Sequence, residues 1–364
     1  MLAIAARPGL PYSRRAEAAK ARCRRIQETE VIRDEDASFH APDPAHPTWA
    51  ETNYFGFFNA EERLNIGVYA LFRTNLGTVT SSVCMNSRRS VTHWEADFCD
   101  MRAASPIPEA RDLRDYSLTN GLHVRCLEPN HVWHIGYDDG QGTQIDVRYE
   151  ALMPAFDIHD PAMDPMCASK STEGKFAWGT AYNGHFDQSG WFEGSVTIRG
   201  RRVPIACVST MDHSWGPRPE RGAPPMSWLH AHFSKELAIH AILSFDPARD
   251  NGRELWLAHG YVLERGQVHG LKAGTGQTVR LQERYPETIA LDLTDSADRR
   301  WTLNGRTLSN MPWVYVPNSI GFNALCEWRC GGATGHGEVM DFIELPVLNA
   351  LNSSPETVRP SRPL

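Results

Sequence analysis

Between residues 50 and 345 helical periodicity is weak, and short segments of alternating, β-branched or aromatic character follow one another instead. The candidate strands are 64–73, 79–85, 93–98, 122–127, 132–137, 143–152, 191–198 and 202–208 in the first half. In the second half they are 227–233, 237–245, 254–263, 278–282, 288–293, 300–308 and 322–330. Asn120-Gly121, Asp138-Asp139-Gly140 and Arg199-Gly200-Arg201 mark turns, the last joining a β-hairpin. Strands at a spacing of roughly 8–12 residues belong to barrels or sandwiches, not to a parallel sheet wound with helices. A chain of 364 residues has room for two such units. The expected fold is therefore mainly β: two packed antiparallel β-barrel domains with an N-terminal helix. The helix over 13–29 is rich in Ala, Arg, Glu and Lys behind a Ser13 cap. With a linker marked by Pro42, Pro44 and Pro47 it fills 1–47. The first barrel domain is expected over 48–208, the second over 209–348 and a loose tail over 349–364.

Composition narrows the partners. A net charge of −7 argues against a nucleic-acid partner, which needs a basic surface to displace counterions. No stretch approaches the roughly 18–20 apolar residues of a membrane-spanning helix, so no integral membrane segment is expected. Residues 1–10 hold a short apolar run broken by Pro8 and followed, not preceded, by basic residues, unlike a secretion signal. Cys23, Cys84, Cys99, Cys126, Cys167, Cys207, Cys326 and Cys330 are scattered without CxxC spacing. They read as reduced thiols, and the expected location is cytoplasmic. Eleven Trp and ten Tyr suit strand pairs and aromatic cores, and several are expected to line a pocket for a hydrophobic small molecule. A homodimer is left open.

The densest polar-aromatic stretch is Met211-Asp212-His213-Ser214-Trp215-Gly216-Pro217-Arg218. It follows a strand and ends in Gly-Pro, so it is expected at a strand-to-loop exit, where a rigid scaffold presents side chains to a ligand. Asp212, raised by burial, and His213, which titrates near neutrality, form the candidate acid–base pair. Trp215 offers a face that stabilises a cation. Arg218 could hold an anionic group or pair with Asp212. The plainer alternative is a buried Asp212–Arg218 pair, with His213 on a backbone carbonyl.

In Trp228-Leu229-His230-Ala231-His232, the two histidines share one face of a strand. With Glu236 they give H-x-H-x3-E, half of a metal-binding pattern that has no second half here. His230 and His232 are candidate proton relays or ordinary histidines, and no metal or other cofactor is expected. Tyr182, His185, Trp228 and Tyr54 are candidate pocket walls. The cluster over 182–190 is otherwise a turn whose Asn and Asp cap backbone groups. Glu51 is a candidate buried partner for an arginine. Phosphate loops, the GxSxG elbow and HExxH are all missing from the sequence.

Glu51-Thr52 with Phe55, Leu127-Glu128-Pro129, the run His185-Phe186-Asp187-Gln188-Ser189-Gly190 and above all Asp212-His213-Ser214-Trp215-Gly216-Pro217-Arg218 carry a resemblance. Over about residues 48–345 the chain resembles the AttH-like/carotenoid 1,2-hydratase (hydroxyneurosporene synthase) superfamily, in a bacterial branch with a D-H-S-W-G-x-R motif. The resemblance implies two lipocalin-like barrels with an associated ligand pocket. It also implies reactions that need no redox cofactor: hydration of an isoprenoid alkene, hydration of a prenylated isoflavonoid, or pericyclic folding of a polyene. In the carotenoid hydratases a His-x-Trp pair and a later Tyr-x-Asp pair protonate the alkene and hold the cation. His213 and Trp215 match the first pair. The second falls near Ala238 and His240 and does not match, so Asp212, His230, His232 or His240 would have to donate the proton. The expected function is a cofactor-independent hydratase/dehydratase, or double-bond isomerase, acting on a terpenoid, steroid or aromatic compound. The alternatives are a non-catalytic lipocalin-like carrier of an apolar ligand and a metal-dependent enzyme using the HxH pair.

Overall fold

The computed structural model describes residues 32–108, 112–167, 183–218, 221–249, 252–281, 285–316 and 318–352. The helix expected over 13–29, Tyr182 and most of the expected tail lie outside the described residues. Eleven strands make the first unit: β1 (Trp49–Asn59), β2 (Leu64–Arg73), β3 (Thr78–Asn86), β4 (Phe98–Pro106), β5 (Asp115–Ser117), β6 (Leu122–Glu128), β7 (Val132–Asp138), β8 (Gln144–Ala151), β9 (Phe156–Asp157), β10 (Gly184–Ile198) and β11 (Arg201–Pro217). Their order is β4-β3-β2-β1-β11-β10-β8-β7-β6-β5, with β9 on β10. The second unit is a closed barrel of β12 (Met226–Ser234), β13 (Leu237–Ser244), β14 (Glu254–Glu264), β15 (Gln267–Leu281), β16 (Tyr285–Asp295), β17 (Arg300–Val316), β18 (Ser319–Cys330) and β19 (Ala333–Glu344). Helix α1 (Leu345–Asn352) follows it, inside the stretch expected to close the barrel and begin the tail.

The first unit takes the expected barrel form as a curled half-barrel. It is an open sheet that curls until its edge strand β4 meets β7: Tyr137 donates to Asp100 (2.9 Å), and Phe98 packs 5.7 Å from the Tyr137 ring. The hollow of the curl is filled by Phe55, Phe57, Trp133, Tyr149, Phe186 and their neighbours. The barrel is likewise packed with apolar side chains, among them Leu229, Ile239, Leu291, Leu303 and Trp328, as small eight-stranded barrels are. Alternation produced both units. In β8, buried Ile145, Val147 and Tyr149 alternate with exposed Gln144, Asp146 and Arg148.

The β10–β11 hairpin turns at Arg199 and Gly200, both at positive φ (51° and 79°). That conformation matches the twist of the flanking strands. Both strands run far beyond the expected lengths. The run 184–190, read as a turn, is the first half of β10, and the Asp212 motif lies within β11. The expected boundary at 208/209 falls within β11, and the first barrel strand, β12, begins at Met226. Residues 93–98, expected as a strand, hold a 3-10 turn over His93–Glu95 before β4 begins. The linker is partly ordered, with a 3-10 turn over Asp34–Ala37 that buries Asp36 and Ala37. Among the described residues no helix is long and apolar enough to cross a membrane.

One face of β1, β2, β3, β10 and β11 packs against the outer wall of the barrel at β12, β13, β14, β17, β18 and β19. Two apolar clusters lie along this seam. One gathers Tyr54, Tyr69, Trp228, Met311, Trp313 and Phe342. The other gathers Met153, Phe156, Ile158, Ala238, Tyr261 and Leu263.

Candidate active site at the seam between sheet and barrel

Register sets the first layer. Asp187 pairs with Asp212, Asp212 with Tyr54, and Tyr54 with Tyr69 across β10, β11, β1 and β2. Side chains at paired positions point to one face, so these four form a row. That face looks onto the barrel. Tyr54 donates to Glu338 Oε2 on β19 (2.8 Å), and the Trp228 indole donates to Asp187 Oδ1 (3.0 Å). The contact leaves no room for a side chain at Gly56, where a Cβ would fall 2.2 Å from Glu338 Oε2. A void of about 10 Å³, room for roughly one water, lies among Tyr54, Asn65, Gly67, Cys84, Met311, Trp313 and Asn323.

Asp187 is the hub. Its Oδ2 lies 3.0 Å from His185 Nε2 and 3.0 Å from His240 Nε2. His240 Nδ1 is 3.1 Å from the Leu229 carbonyl oxygen, which can only accept, so that nitrogen carries a proton. Burial works against the Asp187 charge, but His240 and His185 hold its carboxyl well below the usual carboxylate range. Asp212, on the adjacent strand, goes the other way. Burial, helped by the Asp187 charge and opposed by His185 and Arg218, pushes it up to about 7. Asp212 keeps some accessible surface while Asp187 has none, as fits a proton-bearing group on the wall of a site. Glu338 is also pushed up to about 7 by burial, although Tyr54, Asn65 and Asn323 hydrogen-bond to it.

The barrel supplies the facing layer. Trp228, His230 and His232 point outward from β12, because the alternate residues Leu229 and Ala231 fill the barrel. His230 stacks on His240 (ring centroids 4.2 Å) and on His232 (5.4 Å), and meets Trp228 edge-on (4.1 Å). Burial pushes His230 well down and His232 to about 3, which disfavours the charged form of both. His259 from β14 lies 5.9 Å from the His240 ring and 6.3 Å from His185. Tyr261 bonds Ser189 (2.9 Å) beside His240. At the rim, Arg218 donates to Ser214 Oγ (2.6 Å) and to Tyr69 Oη (3.2 Å).

Several expected site residues are thus together: Asp212, His185, His230, Trp228 and Tyr54, with His232 one step further and Arg218 at the rim. His213 and Trp215 are not. Because the motif is strand and not loop, neighbours alternate, and these two point into the core of the first sheet. His213 donates from Nδ1 to the Thr52 carbonyl (2.6 Å) and packs against Phe186 and Trp215. Burial lowers it to about 3. Trp215 stacks on His40 (4.0 Å, 6° between planes). The expected Asp212–His213 pair is therefore split across the sheet, and Trp215 cannot face the same ligand as Asp212. Glu51, expected to meet an arginine, pairs with His40 (3.1 Å). The H-x-H-x3-E pattern does not assemble either, since Glu236 is exposed in the turn after β12.

Asp187, His259, Tyr261 and Glu338 went unrecognised in the sequence, and His240 entered only as a stand-in donor. The readable signal was His185-x-Asp187, two residues sharing a strand face once 184–190 is read as strand. Among the described residues two groups could hold a cation: Asp187, His240 and His259, and His40, Glu51 and His213, each with one ligand atom per residue within 4.8 Å of the others.

The fold is shared with solved structures. An AttH-like protein from Nitrosomonas europaea is 11% identical, with a TM-score of 0.59 over 86% of this chain and 97% of that one. Kievitone hydratase from Nectria haematococca is 14% identical, with a TM-score of 0.50 over 86% of this chain and 93% of that one. CghA, solved with Sch210972, is 9% identical, with a TM-score of 0.52 over 82% of this chain and 89% of that one. At such identities the likeness establishes the fold alone. No curated protein sequence matches this chain. A family model does match residues 33–343, and by that match the chain belongs to the family described as Domain of unknown function (DUF7064).

Proposed function

We propose that this protein is a cofactor-independent lyase or isomerase, a hydratase/dehydratase or double-bond isomerase, acting on an apolar small molecule that meets Asp212 where the seam between sheet and barrel opens. One observation carries the reading. Two aspartates at paired positions in an aromatic seam are driven apart, Asp187 held low by His240 and His185 and Asp212 pushed up to about 7 by burial. A pair of carboxyls driven apart in this way provides an acid and a fixed negative charge at the same pH. Asp212 would deliver its proton to an alkene carbon. The Asp187 carboxylate, with the Trp228 ring beside it, would stabilise the resulting cation. Water adding to that cation would return a proton to the Asp212 carboxylate left by the first step, which restores the acid. Dehydration runs these steps backward, and isomerisation removes a carbon-bound proton in place of adding water. Arg218 would orient a polar end of the substrate. The flanking apolar clusters suit a terpenoid, steroid or prenylated aromatic substrate, and the hydratase among the structural neighbours agrees with this chemistry. A place in the carotenoid hydratase branch is not needed, since His213 and Trp215 face away. A cytoplasmic location, from the scattered thiols, belongs to the same reading.

The test is incubation in D2O with a panel of terpenoid, steroid and prenylated aromatic alkenes and tertiary alcohols, followed by mass analysis. Deuterium or water is expected to enter or leave at least one compound, and Asp212→Asn should slow this by more than about a hundredfold. No turnover across the panel, with an unchanged ligand retained in native mass spectra, would instead mark a carrier. A second reading has its own observation. His240 is anchored through Nδ1 on a backbone carbonyl and presents Nε2 to Asp187, as metal-binding imidazoles are held by their second shell. Stoichiometric zinc, iron or manganese in the purified protein, removable by chelator with loss of turnover, would favour that reading.

A further inference from the structure

Outside the proposed site, one pair of reactive side chains is set face to face. Cys84 on β3 and Cys99 on the edge strand β4 occupy paired positions, and their sulfurs are 3.2 Å apart. Opposed residues of an antiparallel pair have Cα atoms roughly 4.5 or 5.5 Å apart. Both separations lie inside the roughly 4.4–6.8 Å that a disulfide spans. Here both sulfurs are also turned toward each other. The pair sits at the seam. Cys84 is paired with Gly67, Gly67 with Gly56, and the Tyr54 phenol lies over both glycines. Cys84 also lines the small void beside Tyr54 and Trp313. Cys84 is buried, whereas Cys99, on the edge strand, is only partly buried.

We propose that Cys84 and Cys99 are a modification site that forms a reversible cross-strand disulfide by exchange with a small-molecule disulfide such as oxidised glutathione. Cys99 attacks first. The hydrogen bond from Cys84 lowers the Cys99 thiol below its ordinary value, while that contact and burial raise Cys84. The Cys99 thiolate attacks one sulfur of the small disulfide, forms a mixed disulfide and releases one small thiol, which takes the Cys99 proton. Cys84 then attacks the Cys99 sulfur, and the second small thiol leaves with the Cys84 proton. Two protein thiols are oxidised and one small disulfide is reduced to two thiols. The new bond fastens β4 to β3 at the wall of the Tyr54–Trp313 cluster, and a reducing thiol pool reverses it.

The experiment treats the full-length reduced protein with oxidised glutathione, quenches with an alkylating agent and maps peptides by mass spectrometry. In the wild type, the peptides bearing Cys84 and Cys99 should be joined, two hydrogens lighter than the reduced pair, and released again by dithiothreitol. In Cys84→Ser the reaction should stop at the first step, with glutathione retained on Cys99. Wild-type protein in which both cysteines remain open to alkylation, or in which Cys99 keeps glutathione while Cys84 stays free, overturns the proposal. The wild-type map decides the matter even if a variant folds poorly.

Discussion

The first sheet carries a buried histidine–carboxylate network on each face, and they resolve the same electrostatic problem differently. On the inner face, Glu51 accepts from the His40 backbone N–H (2.9 Å) and pairs with the His40 ring, whose other nitrogen lies 3.2 Å from Asp36. Burial lowers His40, but Glu51 and Asp36 outweigh it and leave it raised. Burial still raises Glu51, with the His40 contacts opposing it, and the segment containing Asp36 and His40 is fastened over the sheet. On the outer face, Asp187 is matched by two imidazoles, while Asp212 beside it has no matching cation in hydrogen-bond contact among the described residues and is pushed up to about 7 by burial. Burial of an ionisable group thus yields a latch where partners saturate it. It yields a proton source where they stop one short.

Paired substitutions should separate the two networks. Glu51→Gln should cost about 3 kcal/mol of stability in urea denaturation, the scale for breaking a buried pair, with turnover per folded molecule kept. Asp212→Asn should do the opposite: a loss of more than about a hundredfold in turnover with stability at least maintained. If both variants lose stability alike, the contrast fails. His213→Ala should fall with the latch side and cost about 2–4 kcal/mol through lost packing and an orphaned Thr52 carbonyl. A purely kinetic defect in that variant would return His213 to the chemistry. Trp228→Phe keeps a ring but removes the N–H donated to Asp187, a hydrogen bond to a charged group worth about 1.5–3 kcal/mol, so a smaller loss of stability is expected.

The smallest effect is a slope with pH. Asp212 is near 7 when folded and roughly 4 when unfolded, so folding takes up a proton between those values. Its contribution is whole below about pH 4 and is lost as pH rises through about 7. Wild-type stability should therefore decline from pH 5 to pH 8 more steeply than that of Asp212→Asn. Equal slopes would mean that Asp212 titrates as an ordinary surface aspartate.

The β character of the chain was legible because half-buried strands such as β8 alternate plainly. Strand length was not. The buried parts of β10 and β11 face protein on both sides and lose their alternation, so polar residues such as Asp187 and Asp212 read as loop. The error carried into the site. A loop would have let Asp212 and His213 converge, whereas a strand sends them to opposite faces. The open edge of the first sheet and the His185–Asp187–His240 contact depend on which strands pair, and so does the meeting of Cys84 with Cys99. None of these has a local signature, which is why Asp212 and His230 were found from sequence while Asp187 and Glu338 were not.

The most direct test of an aspartate pair driven apart needs no substrate. Carbon-13 labelling of aspartate side-chain carboxyls, with assignment by loss of signal in Asp212→Asn and Asp187→Asn, would follow each group through a pH titration. The Asp212 signal is expected to change with a midpoint near pH 7, and the Asp187 signal to stay at its ionised position until well below the usual carboxylate range. An Asp212 signal already at the ionised position across pH 5–8 would contradict the proposed proton source at the seam.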